Sequence, residues 1–220
     1  QMHVHIYIDC SGSMGKVNPN KGAYAIAVAA AIGYLAIHNM DKVSYHLIKG
    51  SKAENPFGTI VGKRAFFRAM ATLEQIEFTD EADISSAIVG DPNVGTGDGM
   101  SVIISDFFSD NDWKKGVDYL VYKKNQVLLA QVYSPDELDP SYTDRVHLID
   151  SESTDMGDSK NMKIRINKSM QLAFREAVAA FLADISDFCK RRDAGFISLD
   201  CEKPIENQLF SELLKRGTVS

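Results

Sequence analysis

The run Asp9-Cys10-Ser11-Gly12-Ser13 places one carboxylate and two hydroxyls at alternate positions on a tight turn. It follows residues 4–8 (VHIYI), an apolar, β-branched run with the character of a buried strand. Hard oxygen donors in this arrangement suit Mg²⁺, which prefers octahedral geometry and keeps several of its waters. A second apolar run, residues 101–105 (SVIIS), leads into Asp106, which can add a carboxylate from a neighbouring loop. Asp9 and Ser11 are also favoured helix caps, so the plain alternative is that they only start the next helix. The D-x-S-x-S pattern gains meaning from its place at the end of the first strand.

Other chemistries each lack a residue. Residues 12–16 (GSMGK) approach a phosphate loop, but that pattern needs Gly where Cys10 stands and a hydroxyl where Val17 stands. Cys10, on a loop before a helix, has the setting of a thiolate nucleophile. No arginine follows at phosphatase spacing, however, and the neighbouring Asp9 charge disfavours a thiolate. An aspartyl nucleophile at Asp9 would want a second carboxylate where Ser11 stands. The five histidines show no metalloprotease spacing; His3 and His5 alternate as residues of one strand face do. Phe107, Phe108 and Trp113 flank Asp106, and two of these three are expected in the core. The acidic residues Asp136, Glu137 and Asp139, set around Pro135 and Pro140, read as a solvated loop.

The elements that must position these residues follow from the whole chain. Its 220 residues are 45% hydrophobic and 25% charged, enough for one large globular domain. A net charge of −6 disfavours nucleic acid, which needs a basic face. Three scattered cysteines fit neither a disulfide framework nor a zinc cluster, so a reducing, cytoplasmic setting is expected. The apolar run 23–37 is shorter than the roughly 20 residues that cross a bilayer, so no membrane contact by this fragment is expected. The chain opens directly on a strand and not on Met, as an excised piece would, so a preceding segment can carry a membrane anchor.

Strand-like runs alternate with helical stretches of ten or more residues, with a short third strand expected at 57–61. The expected fold is α/β: a doubly wound, mostly parallel sheet with helices on both faces. One domain spanning 1–220 is expected, with a small β-hairpin insertion at about 140–168. In such sheets, sites lie outside the carboxyl ends of the strands at the topological switch point. That places attention after Ile8 and after Ser105.

DCSGSM after an apolar strand resembles the metal-ion-dependent adhesion site of von Willebrand factor A domains, and VIISDF resembles their strand bearing the second aspartate. The segments at 131–138 (QVYSPDEL), 147–153 (HLIDSES) and 189–192 (CKRR) resemble a bacterial branch, the DUF58-type proteins associated with MoxR-type AAA+ ATPases. The resemblance implies a vWA-like fold and Asp9, Ser11, Ser13 and Asp106 as metal ligands, direct or through water. It also exposes a departure: Ala82 stands where the family places a metal-binding threonine, and a methyl group cannot ligate. Thr79, three residues earlier, is the candidate replacement, and Asp83 can act through water.

The expected function is a non-enzymatic protein-binding module. Weakly or partner-dependently bound Mg²⁺ (or Mn²⁺) engages an Asp or Glu of a protein partner, for which the resemblance offers a MoxR-type AAA+ ATPase. The competing expectation is a metal-assisted phosphohydrolase using Asp9, which needs a base and an anion clamp that the sequence does not supply.

Overall fold

Strand β1 (His3–Asp9) is buried along nearly its whole length, as a central strand covered on both faces must be. A helical turn α1 (Gly12–Gly15) and helix α2 (Pro19–His38) follow, with Pro19 at the first helical position, where its missing N–H costs nothing. The order continues β2 (Lys42–Lys49), β3 (Lys52–Glu54), α3 (Lys63–Leu73), α4 (Ile84–Val89), β4 (Gly99–Ser105), α5 (Lys114–Tyr122) and β5 (Gln126–Tyr133). It ends with α6 (Pro135–Leu138), β6 (Arg145–Leu148), β7 (Met162–Arg165), α7 (Lys168–Lys190) and β8 (Gly195–Asp200). This computed structural model describes residues 1–15, 19–78, 81–94, 99–108, 112–138, 145–148, 162–165 and 168–209.

Six strands form one sheet in the order β3-β2-β1-β4-β5-β8. β1 pairs in parallel with β2 and β4, β4 with β5, and β5 with β8, while the edge strand β3 runs antiparallel to β2. The expected α/β class and mostly parallel sheet are therefore observed. β6 and β7 pair antiparallel as a separate two-stranded ribbon. The expected third strand at 57–61 is not one: only Ile60 bridges to Val43. Gly58 and Gly62 on either side take positive φ, which breaks an extended run. The third strand is instead the short, polar β3, which carries no apolar signal.

Each sheet face has its own core. Val4, Ile6 and Ile8 of β1 pack with α2 and α3 on one face. Tyr7 and Ile48 pack with α4, α5 and the end of α7 on the other. Phe107 and Trp113 join that second core, whereas Phe108 is exposed, as expected for two of the three. Helix α2 is the candidate for misreading: Asn20–His38 spans 19 residues at mean hydropathy 1.3, long and apolar enough to cross a membrane by length and composition. Half of it is buried inside the protein, against the central strands.

The path of the chain creates the site. From β1 it steps outward to β2 and β3, then returns to β4 on the other side of β1. The reversal between β1 and β4 is the topological switch point of the sheet, and Asp9 and Asp106 stand at the carboxyl ends of those two strands.

Candidate functional site

Asp9 is 2% exposed and held on both oxygens. Oδ1 accepts the Ser11 backbone N–H at 2.9 Å, and Oδ2 accepts the Ser105 hydroxyl at 2.5 Å. Ser105, the last residue of β4, in turn accepts the Phe107 N–H at 3.0 Å. Burial, and then the neighbouring Asp106 charge, raise the Asp9 carboxyl to about 6, against the lowering pull of its hydrogen bonds. The two carboxylates thus share the rim closely enough to repel. Ser11 and Ser13 complete it, their hydroxyl oxygens 3.1 Å apart.

Asp106 is 2% exposed and also fully engaged. Its Oδ1 accepts the Phe108 N–H at 3.0 Å, and its backbone oxygen accepts from Gln131 Nε2 at 3.2 Å. Between them Phe107 takes φ 59, a left-handed conformation rare for a bulky residue, which turns the chain sharply at the rim. Asp106 Oδ2 accepts from Lys21 Nζ at 2.9 Å, and the same ammonium donates to Glu137 Oε1 at 2.5 Å. Glu137 is pinned at the start of α6, where Oε2 accepts the Ser134 N–H at 2.8 Å.

Lys21 has no exposed surface. Burial opposes its charge, but Asp106 and Glu137 together outweigh burial and raise its pKa above the ordinary lysine value. Gly22 helps place it. A Cβ on Gly22 would come within 2.9 Å of the Phe78 ring and 3.1 Å of the Gly15 backbone, so its absence lets the α1 turn press on α2. Neither Lys21 nor Glu137 was singled out as a site residue from sequence, and Glu137 is no solvated loop residue.

Asp9, Ser11, Ser13 and Asp106 therefore come together at one end of the sheet. Thr79 lies outside the described residues. Ala82 is 4% exposed and packs in the second core, held by a bridge to Gly50 at the end of β2. Asp83 caps α4, accepting the Ser86 N–H at 3.0 Å and the Ser86 hydroxyl at 2.7 Å.

The rim's donors, carboxylate and hydroxyl oxygens, are of the type a hard divalent ion takes. The 3.1 Å between the two serine oxygens matches the separation of about 3 Å between adjacent ligands on octahedral Mg²⁺ with bonds of about 2.1 Å. Two repelling carboxylates add the negative charge such an ion needs. Among the described residues no three His, Cys, Asp or Glu side chains converge as a softer metal site would require.

A second buried polar cluster lies on β1, nearer its amino end, and on the neighbouring β2. His5 Nδ1 stands 3.0 Å from His46 Nε2, and His46 Nδ1 stands 2.8 Å from Asp91 Oδ2. That second approach is off the axis of a straight hydrogen bond, so its attraction is chiefly electrostatic. Tyr7 donates to the same Asp91 oxygen at 3.2 Å and stacks on His46 with ring centroids 4.4 Å apart. His3 Nε2 pairs with Ser44 Oγ at 2.9 Å. Burial first, then the charges of His3 and His46, push His5 down to about 3 despite Asp91.

Among solved structures the chain is similar to proximal thread matrix protein 1 from the mussel byssus, at 10% identity and TM-score 0.44, covering 59% of this chain and 35% of that one. It is also similar to the pilus adhesin SpaC from Lactobacillus rhamnosus GG in its open conformation, at 9% identity and TM-score 0.44, covering 86% and 30%. The chain thus spans about a third of the length of each. No curated protein matches it in sequence. The family described as "Protein of unknown function DUF58" matches residues 1–181, and the chain belongs to that family.

Proposed function

We propose that the chain is a non-enzymatic, vWA-like protein-binding module. In this reading Asp9, Ser11, Ser13 and Asp106 would hold Mg²⁺ or Mn²⁺ in an adhesion-type site for a partner's Asp or Glu. One observation carries the reading: two carboxylates and a hydroxyl pair meet at the carboxyl ends of adjacent central strands. When bound, the ion would supply a coordination position that these four side chains leave to water, and an incoming carboxylate could take that position. The chain's part is positioning. Ser105 and the Ser11 N–H fix the Asp9 carboxylate, and the left-handed turn at Phe107 fixes Asp106.

Turnover is not expected of this rim. Cys10 is buried, with its thiol donating to the Ile8 carbonyl at 3.5 Å, and Lys21 is locked between carboxylates. The partner is a protein presenting an acidic side chain, for which the family resemblance offers a MoxR-type AAA+ ATPase. Calorimetry with Mg²⁺ and a pull-down with wild type and Asp9→Ala, each with and without Mg²⁺, tests the reading. Weak Mg²⁺ binding, tightened by Ala82→Thr, and partner capture lost in Asp9→Ala or without Mg²⁺ support it. Capture indifferent to both overturns it, and metal-dependent phosphoester hydrolysis abolished by Asp9→Asn would select the phosphohydrolase instead.

A further inference from the structure

Lys21 is the rim group that the binding chemistry above leaves unused. Its ammonium lies 2.9 Å from Asp106 Oδ2 and 2.5 Å from Glu137 Oε1, wholly shielded from water. The other oxygen of each carboxylate is taken by a backbone N–H, of Phe108 and of Ser134 respectively. A carboxylate oxygen that accepts one hydrogen bond keeps a second lone pair, so an ion at Asp106 need not empty either oxygen, but at Oδ2 it meets the Lys21 ammonium directly.

We infer that Lys21 is the resident cation of the rim, competing with a divalent ion for Asp106, and that Glu137 tunes the competition by drawing the ammonium away. The inference rests on the reading of the rim as a divalent-ion site and names what regulates its affinity. Three features support it. Two like charges within a few ångströms in a buried, low-dielectric place repel strongly, so the lysine and a divalent ion oppose each other's presence. The ammonium touches both carboxylates at once, so losing the Asp106 contact still leaves it an anionic partner in the half-buried Glu137. Glu137 itself is anchored by Ser134 and stays in place when the ammonium is shared differently. Rim occupancy is thereby tied to α6, since whatever displaces Glu137 removes the contact that draws Lys21 away from Asp106.

The test is Mg²⁺ calorimetry on the full chain with wild type, Lys21→Met, Glu137→Gln and, as a control, Asp136→Asn. Asp136 is exposed on the same short helix and also loses one negative charge on substitution. Lys21→Met should bind Mg²⁺ about tenfold tighter or more, as removal of a nearby like charge demands. Glu137→Gln should bind more weakly than wild type, by clearly more than Asp136→Asn does. Near-ultraviolet circular dichroism checks that each variant is folded; if Lys21→Met is not, the contrast of Glu137→Gln with Asp136→Asn decides. Lys21→Met binding no tighter than wild type, or Glu137→Gln and Asp136→Asn behaving alike, overturns the inference while leaving the rim a metal site. No binding by any folded variant, Lys21→Met included, overturns both readings.

Discussion

Strand β1 carries two buried polar clusters along one side chain row, Asp9 at its carboxyl end and His3, His5 and Tyr7 before it. In the histidine cluster the charge is self-contained: Asp91 accepts from Tyr7 and the Asn93 N–H and faces His46, and His5 stays neutral. Burial works against the Asp91 charge, but the His46 contact and the hydrogen bonds prevail, so its pKa lies below the ordinary carboxylate value. In the rim the charges do not close in this way. Asp9 is pushed up to about 6 by burial and by Asp106, and Lys21 must serve Asp106 and Glu137 together. Repulsion is present in both, among His3, His5 and His46 in the one and between Asp9 and Asp106 in the other; it helps keep His5 uncharged and helps raise the Asp9 carboxyl. The difference is that one carboxylate, Asp91, closes the histidine cluster, whereas the rim gathers two that repel.

The contrast can be broken by removing one charge from each cluster. Lys21→Met leaves Asp106 and Glu137 facing each other without the ammonium, with Asp9 nearby. Breaking a buried ion pair at one partner typically costs about 3–5 kcal/mol, and urea denaturation at neutral pH with chelator present should show a loss of that size. Asp91→Asn should cost less, about 1–3 kcal/mol, because the amide oxygen still accepts from Tyr7. A larger loss for Asp91→Asn than for Lys21→Met would reverse the comparison.

Acidification sharpens the same contrast, because the two clusters respond with opposite signs. The folded-state pKa of His5 lies at about 3, below the ordinary 6.5. As pH falls through 6.5 the unfolded chain takes up a proton that the folded chain refuses, so His5 removes stability down to about pH 3 at about 1.4 kcal/mol per pH unit. Burial lowers His3 in the same sense. Asp9 runs the other way: its folded pKa of about 6 exceeds the ordinary 3.8, so the folded chain binds the proton first. Between those values stability rises as pH falls, by about the same amount per unit. The two contributions should nearly cancel in wild type from about pH 6 to 4. Asp9→Asn should then show a steep acid loss in that window and His5→Gln a gain relative to wild type. Parallel profiles for the two variants would show that the clusters do not differ in this way.

The sequence carried the parallel sheet and the meeting of Asp9 with Asp106, because both depend on local signals. An apolar run ending in an acid marks a strand end, and neighbouring parallel strands align their ends. Lys21, Glu137 and Ser105 left no such signal. Lys21 opens a helix in a polar stretch and Glu137 sits among turn residues, and their pairing spans 116 positions. His3 and His5 could be placed on one face by alternation, but their partner Asp91 lies in a glycine-punctuated loop 84 residues from Tyr7. The short β3 was missed because an exposed edge strand needs no apolar pattern. Contacts set by topology are legible only after the topology is known.

The smallest expected effect fixes the border of the rim. Asp83 adjoins Ala82 and has the right chemistry for a ligand through water, yet its carboxylate is turned to Ser86 as the N-cap of α4, a role that accounts for it without an ion. Loss of such a cap costs about 1 kcal/mol, and the charge removed faces a helix amino end, which favours an anion. Asp83→Ala should therefore lower stability by about that amount in urea denaturation and leave Mg²⁺ affinity unchanged. Asp83→Asn, whose side-chain oxygen still caps, should recover most of the stability. If Asp83→Ala instead weakens Mg²⁺ binding while Asp83→Asn fails to restore it, Asp83 belongs to the rim as a charge, and the boundary between capping and binding must be moved to include it.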